Sequence, residues 1–113
     1  MPAQEIPHEQ WAAFLGKFAD CHYGWDVKME QQRPKAGRLI EAEHGYLQQV
    51  IADRAGEHDQ IAIVVGSPHA HSQTHVIQDA KHIRAADDPD QLEIDAEDGT
   101  TTVLRLQNPK SSA

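Results

Sequence analysis

A hairpin signal near the C-terminus is the feature that most constrains the fold. Residues 91–107 form two alternating runs on either side of Asp98-Gly99, a dipeptide typical of tight β-hairpins. A two-residue loop there would pair Glu97 with Thr100 and would send the apolar residues of the two strands to opposite faces. A three-residue loop, residues 97–99, shifts the pairing by one residue and gathers them on one face. We therefore predict a type I turn followed by a left-handed Gly99, with these side chains in the core: Leu92, Ile94, Thr102, Leu104 and Leu106.

The N-terminal segment carries a second pattern, an apolar stripe at helical spacing. Apolar side chains recur every three or four residues, which predicts an amphipathic helix over residues 7–22. Pro7 suits the first helical turn, and Gly24 suits the position just beyond the last one. The stripe consists of Trp11, Phe14, Leu15, Phe18 and Cys21.

Three further segments predict strands. Residues 25–30 alternate apolar and charged side chains, which is typical of a half-buried strand. Residues 61–65 form a short β-branched run, which predicts a central strand covered on both faces. Residues 74–86 predict two strand segments broken at residues 78–80, or one bent strand with a bulge.

The segment between the first two of these strands is more ambiguous. Residues 33–37 predict a turn, and residues 39–43 predict a strand that pairs back across it. Residues 46–53 favour a short helix, with an irregular strand as the alternative. The helical spacing there is that of Leu47, Val50 and Ile51.

These elements together predict an α+β fold in one domain, residues 1–113, with an ordered core at about 6–107. The N-terminal amphipathic helix is expected to pack its stripe on an antiparallel sheet of five to six strands. The alternative is a small, strongly bent half-barrel that the helix plugs at one end. Strands that follow one another through short turns favour antiparallel neighbours in both arrangements.

Composition narrows the possible functions. The chain has 10 basic and 18 acidic residues, a net charge of −8, which favours solubility and a monomer or weak homodimer. An acidic chain is a poor match for nucleic acid or for an anionic membrane surface. Cys21 is the one cysteine, so no intramolecular disulfide can form. Without an apolar run long enough to span a bilayer and without a signal peptide, the expected location is the cytoplasm.

Four of the eight histidines lie within residues 69–82. On a strand that begins near His69, the side chains of His69, His71 and His75 would share a face, with neighbours about 7 Å apart at a rise of roughly 3.3 Å per residue. Two imidazoles at that spacing can bind one zinc or nickel ion, with Asp79 or another carboxylate completing the ligand set. The competing interpretation is an exposed polar strand or loop that binds no metal.

His75 also has two interpretations by itself. It can be a buried histidine that bonds a backbone carbonyl, or it can be the general base of a small hydrolase or isomerase. No nucleophile motif accompanies it, since Cys21 belongs to the helix stripe, and no phosphate-binding loop or other cofactor motif is present. Residues 93–97 carry alternating carboxylates, which are more typical of a solvated sheet face than of an acid/base pair.

Several stretches resemble a bacterial family of small uncharacterised proteins, the domain of unknown function DUF5335. The resemblance covers most of the chain, and residues 31–45 depart from it most. It implies a shared fold and a bacterial origin, and it implies no activity. The matching stretches are residues 5–15, Gly24-Trp25, residues 61–66, residues 74–77 and residues 92–105.

The sequence leads to a principal functional hypothesis and two alternatives. The first is a non-enzymatic protein that binds another macromolecule, most simply a protein, through an apolar patch on the sheet face opposite the helix. Val103 and Ile83 are the candidates for that patch. The alternatives are a metal-binding protein centred on the histidine cluster, and an enzyme that uses His75.

Overall fold

The structure is a computed structural model that describes residues 4–32, 43–55, 58–67, 70–85 and 90–108. One α-helix, α1, spans Trp11–Cys21 and follows a 3-10 turn at His8–Gln10. The described strands are β1 Gln4–Glu5, β2 Asp26–Gln32, β3 Glu43–Ala55, β4 His58–Ser67, β5 Ala70–Gln78, β6 Ala80–Ala85, β7 Gln91–Ala96 and β8 Thr101–Gln107. The predicted turn at 33–37 and most of the predicted strand at 39–43 lie outside the described residues.

These strands form one antiparallel sheet in the order β1-β6-β7-β8-β2-β3-β4-β5. The α+β class and the N-terminal helix are confirmed, but the expected five to six strands are too few, because the described residues alone form eight. The single residue Asp79, with a φ of 55°, joins β5 at one margin of the sheet to β6 near the other. The sheet must therefore curve enough for the end of β5 to reach the start of β6, and the break predicted at residues 78–80 lies at that junction.

The C-terminal hairpin has the predicted register. Leu92 pairs with Leu104 and Ile94 with Thr102, which requires the three-residue loop. The backbone N–H of Ala96 donates to the carbonyl of Thr100 at 2.9 Å, and Gly99 has a φ of 89°. All five side chains predicted to face the core are buried, so burial decided the register as argued.

Helix α1 occupies most of the predicted range and packs mainly against β3. Trp11, Leu15 and Phe18 of the stripe are buried, Phe14 is partly buried, and Cys21 is exposed. The buried apolar residues of the helix and of the hairpin belong to one hydrophobic cluster. Within the described residues, no helix is long and apolar enough to cross a membrane.

Strand β3 corrects the preference for a helix at residues 46–53. The pairing with β4 shifts between Leu47 and Gln49, which is a β-bulge. Because the bulge inserts one extra residue, Leu47 and Val50 both face the core although they are three positions apart. A separation of three positions is also typical of one face of a helix. The alternative of an irregular strand is therefore the correct one.

The predicted central strand, residues 61–65, lies in β4, which is next to the margin of the sheet. Its core side is apolar and fully covered, since Ile61 and Ile63 have no exposed surface. Its other side is not covered, because Ala62 and Val64 are only half-buried. The expectation that both faces are covered is therefore wrong.

His22, just beyond the C-terminus of α1, fastens the helix to the rest of the fold. Its ring lies 4.3 Å from the ring of Phe18 and 4.6 Å from that of Trp25, centroid to centroid. Nδ1 lies 2.8 Å from the carbonyl oxygen of Phe18, and Nε2 lies 3.0 Å from Oδ1 of Asp90. The carbonyl of Asp90 in turn accepts the N–H of Leu106 in β8 at 2.8 Å.

Candidate protein-binding surface

The predicted metal ligands are placed only in part. His71 and His75 lie on β5, where His71 is exposed and His75 is half-buried, and His69 lies outside the described residues. Among the residues that the structure describes, no group of three histidine, cysteine or carboxylate side chains could hold a metal ion. The zinc or nickel site therefore remains a prediction that depends on His69.

His75 faces the core side of the sheet, opposite Ile63 of β4, and its Nε2 atom is buried. A catalytic base needs a cleft that admits a substrate. His75 does not line either of two clefts of the described residues, which have volumes of about 290 and 280 Å³. The first runs between α1 and β3, and the second is a polar hollow around the ion pair of His58 with Asp79. The use of His75 as a catalytic base therefore stays a prediction.

The outer surface of β2, β6, β7 and β8 carries several ion pairs. Arg84 contacts Asp95 at 3.0 Å and Glu93 at 3.6 Å, so the carboxylates at 93 and 95 lie on the outer face but are mostly covered, with 27% and 19% of the side chains exposed. Arg105 contacts the buried carboxylate of Glu30 at 2.5 Å. The hydrogen bond from Arg105 lowers the pKa of Glu30 below its ordinary value, against the opposing effect of burial.

The outer surface of β3, β4 and β5 is different in kind. Antiparallel partners share a face of a sheet, so the register places Ile51, Ala62 and Val76 in one row across the three strands. The adjacent row contains Gln49, Val64 and Thr74. None of these six residues is charged, and we call them the uncharged face.

The uncharged face leaves large apolar side chains in water. Ile51 is 42% exposed and Val76 is 51% exposed. The residues predicted to form an apolar patch do not do so, because Ile83 points into the core and is fully buried, and Val103 is covered although it lies on the outer side. The bulge in β3 determines that Ile51 lies on the outer side of the sheet. The prediction of a helix at 46–53 could not assign Ile51 to a sheet face.

The margin of the sheet next to this face is β5. It has nine residues and no Asp, Glu, Lys, Arg or Pro, and no described strand pairs with its outer side. The absence of charge between residues 70 and 78 is visible in the sequence. Its significance depends on the strand order, which places β5 at the margin.

The comparison with protein families gives one result. A family described as Family of unknown function (DUF5335) matches residues 2–113. Neither a curated protein nor a solved structure matches the chain significantly.

Proposed function

Because the chain belongs to the Family of unknown function (DUF5335), we propose its function from its own surface: it binds another protein through the uncharged face. The observation that carries the proposal is the row of Ile51, Ala62 and Val76, which runs across three neighbouring strands with both of its ends exposed. A contiguous exposed apolar patch is typical of an interaction site, whereas single exposed apolar residues are ordinary.

The distribution of charge supports the same conclusion. A chain with a net charge of −8 has many charged side chains with which to cover its surface. The outer side of β2, β6, β7 and β8 carries ion pairs, and the outer side of β3 to β5 carries none in the two rows described. An interface core is depleted of charge in this way while its surroundings stay polar.

The exposed area sets the size of the effect. Complete burial of a valine or isoleucine side chain contributes about 1.5–3 kcal/mol, and roughly half of each side chain is already covered at Ile51 and Val76. A partner that covers the remainder therefore gains about 1 kcal/mol at each position. The two positions together correspond to about 30-fold in the dissociation constant.

The test compares an Ile51→Thr/Val76→Thr double variant with a Val103→Thr control. Threonine keeps the β-branched shape and the strand preference at all three positions. Wild-type protein and both variants are immobilised, the captured proteins are quantified by mass spectrometry, and the dissociation constant of each purified candidate is then measured by calorimetry.

We expect a partner whose affinity for the double variant falls about 10- to 30-fold. Val103→Thr is expected to lower stability, because Val103 is only 3% exposed, and to leave the affinity unchanged. If every partner binds the double variant as tightly as the wild type, the uncharged face is not the binding surface.

A further inference from the structure

We propose that β5 accepts an additional antiparallel strand from the partner, and that this strand is an extended segment flanked by lysine or arginine residues. The inference rests on the proposed function, because β5 borders the uncharged face. It adds the manner of binding and the chemistry of the partner.

Over residues 73–78 the edge of β5 has neither charge nor proline, and the bulge in its pairing with β4 lies before them, at residues 71–72. Sheet margins expose backbone N–H and C=O groups that can pair with another chain, and proteins normally block them with charges, proline, short strands or bulges. At the opposite margin, the described part of β1 has two residues and includes Glu5. In contrast, β5 offers six regularly paired residues, 73–78, without a formally charged side chain at neutral pH and without proline.

The side chains of β5 alternate between the two faces of the sheet, so an added strand can continue the same alternation. Thr74 and Val76 point to the outer side with the uncharged face, whereas His75 and Ile77 point to the core side. Strand addition uses main-chain hydrogen bonds for affinity and alternate side chains for selectivity. An added strand would place its outer side chains beside Val76 and extend the apolar row by one strand.

Charge identifies the kind of segment that fits. A second copy of the chain would bring another net charge of −8 to the interface, and like charges oppose association. A basic segment is instead attracted by the negative charge of the chain. Because the centre of β5 is uncharged, the lysine or arginine residues of the segment lie at its ends. The partner strand is therefore apolar or polar in its middle and basic at its flanks.

The experiment uses a labelled peptide of nine alternating threonine and valine residues with two lysines at each end. Two control peptides carry glutamates at the ends or a proline in the middle. Binding to the full chain is measured by fluorescence anisotropy for the wild type and for Thr74→Lys and Thr74→Glu. Thr74 is exposed, so both variants are expected to fold, and circular dichroism checks this.

We expect the lysine-flanked peptide to bind and both control peptides to bind at least about tenfold more weakly, a difference of about 1.4 kcal/mol. Thr74→Lys, which adds a charge of the same sign as the peptide, is expected to weaken binding about tenfold, and Thr74→Glu to keep it within about threefold. If Thr74→Lys and Thr74→Glu weaken binding of the peptide equally, charge does not govern binding and the inference is wrong. Amide hydrogen exchange should slow in β5 when the peptide is bound.

Other outcomes separate the alternatives. If the wild type forms a dimer in sedimentation that both Thr74 variants abolish, the occupant is a second copy and the inference is wrong. If the lysine-flanked peptide does not bind while a partner still depends on Ile51 and Val76, strand addition fails and the proposed function stands. If the peptide binds with the expected charge pattern but the Ile51/Val76 variant binds every partner as tightly as the wild type, the uncharged face is not the binding surface. Strand addition at β5 then stands without it.

Discussion

The contact between His22 and Asp90 should hold the end of α1 to the sheet, and its energy can be measured by a double-mutant cycle. The variants are His22→Gln, Asp90→Asn and the combination of both. His22 is only 7% exposed, its Nε2 lies 3.0 Å from Oδ1 of Asp90, and the side chain of Asp90 is 38% exposed. Hydrogen bonds to charged groups contribute about 1.5–3 kcal/mol when buried, and surface ion pairs about 0.2–1 kcal/mol. The half-exposed partner places the coupling between these two ranges, at about 1–1.5 kcal/mol.

His22→Gln is expected to cost more than the coupling alone. The variant also loses the contact of Nδ1 with the carbonyl of Phe18 and the packing of the ring against Phe18 and Trp25. Aromatic pairs contribute about 0.5–1.5 kcal/mol each, so we expect a total loss of about 2–3 kcal/mol. Asp90→Asn keeps an acceptor and is expected to lose about 1 kcal/mol.

The assay is urea denaturation followed by tryptophan fluorescence for all four proteins. A coupling energy below about 0.4 kcal/mol, the level at which independent sites add, would refute the reasoning that the two residues form one link.

Two further predictions concern charge and metal. Arg105 lowers the pKa of Glu30, so the ionised carboxylate stabilises the fold above its ordinary pKa and this contribution is lost on acidification. Glu30→Gln should be less stable than the wild type at neutral pH and should approach the stability of the wild type near pH 3. Parallel acid unfolding curves of the two proteins would contradict this. If residues 69–75 bind zinc or nickel, elemental analysis of protein purified without a histidine tag should give about one ion per chain, and His71→Ala should remove it. Less than about 0.1 ion per chain would end that hypothesis.

The features predicted well from the sequence are those with local causes. Asp98-Gly99 specifies a turn, and burial of the flanking residues allows only one register. The stripe of α1 is a property of consecutive residues, as is the break at Asp79. In each case the chemistry that decides the structure lies within about ten residues along the chain.

The errors have causes that are distant in sequence. In β3, a single bulge placed Leu47 and Val50 on one face and produced the spacing of a helix. The error at Val103 has a different origin. Val103 alternates correctly for the outer side of β8, but it is covered there beside Glu30 of β2, a strand far earlier in the chain. The sequence does not reveal which strands become neighbours. It therefore could not show whether an apolar residue on an outer face is exposed to solvent or covered by a neighbouring strand.

Strand order also gives the candidate surface its significance. A segment without charge, such as residues 70–78, is harmless in the middle of a sheet, where both edges are paired. At a margin it is a liability, because the backbone groups of an edge strand invite association and charged side chains are the simplest protection. The chain has 28 charged residues in all, from 10 basic and 18 acidic positions, and it places none of them on this margin. Solubility alone would favour at least one lysine or glutamate there, and a requirement to receive another strand would exclude them.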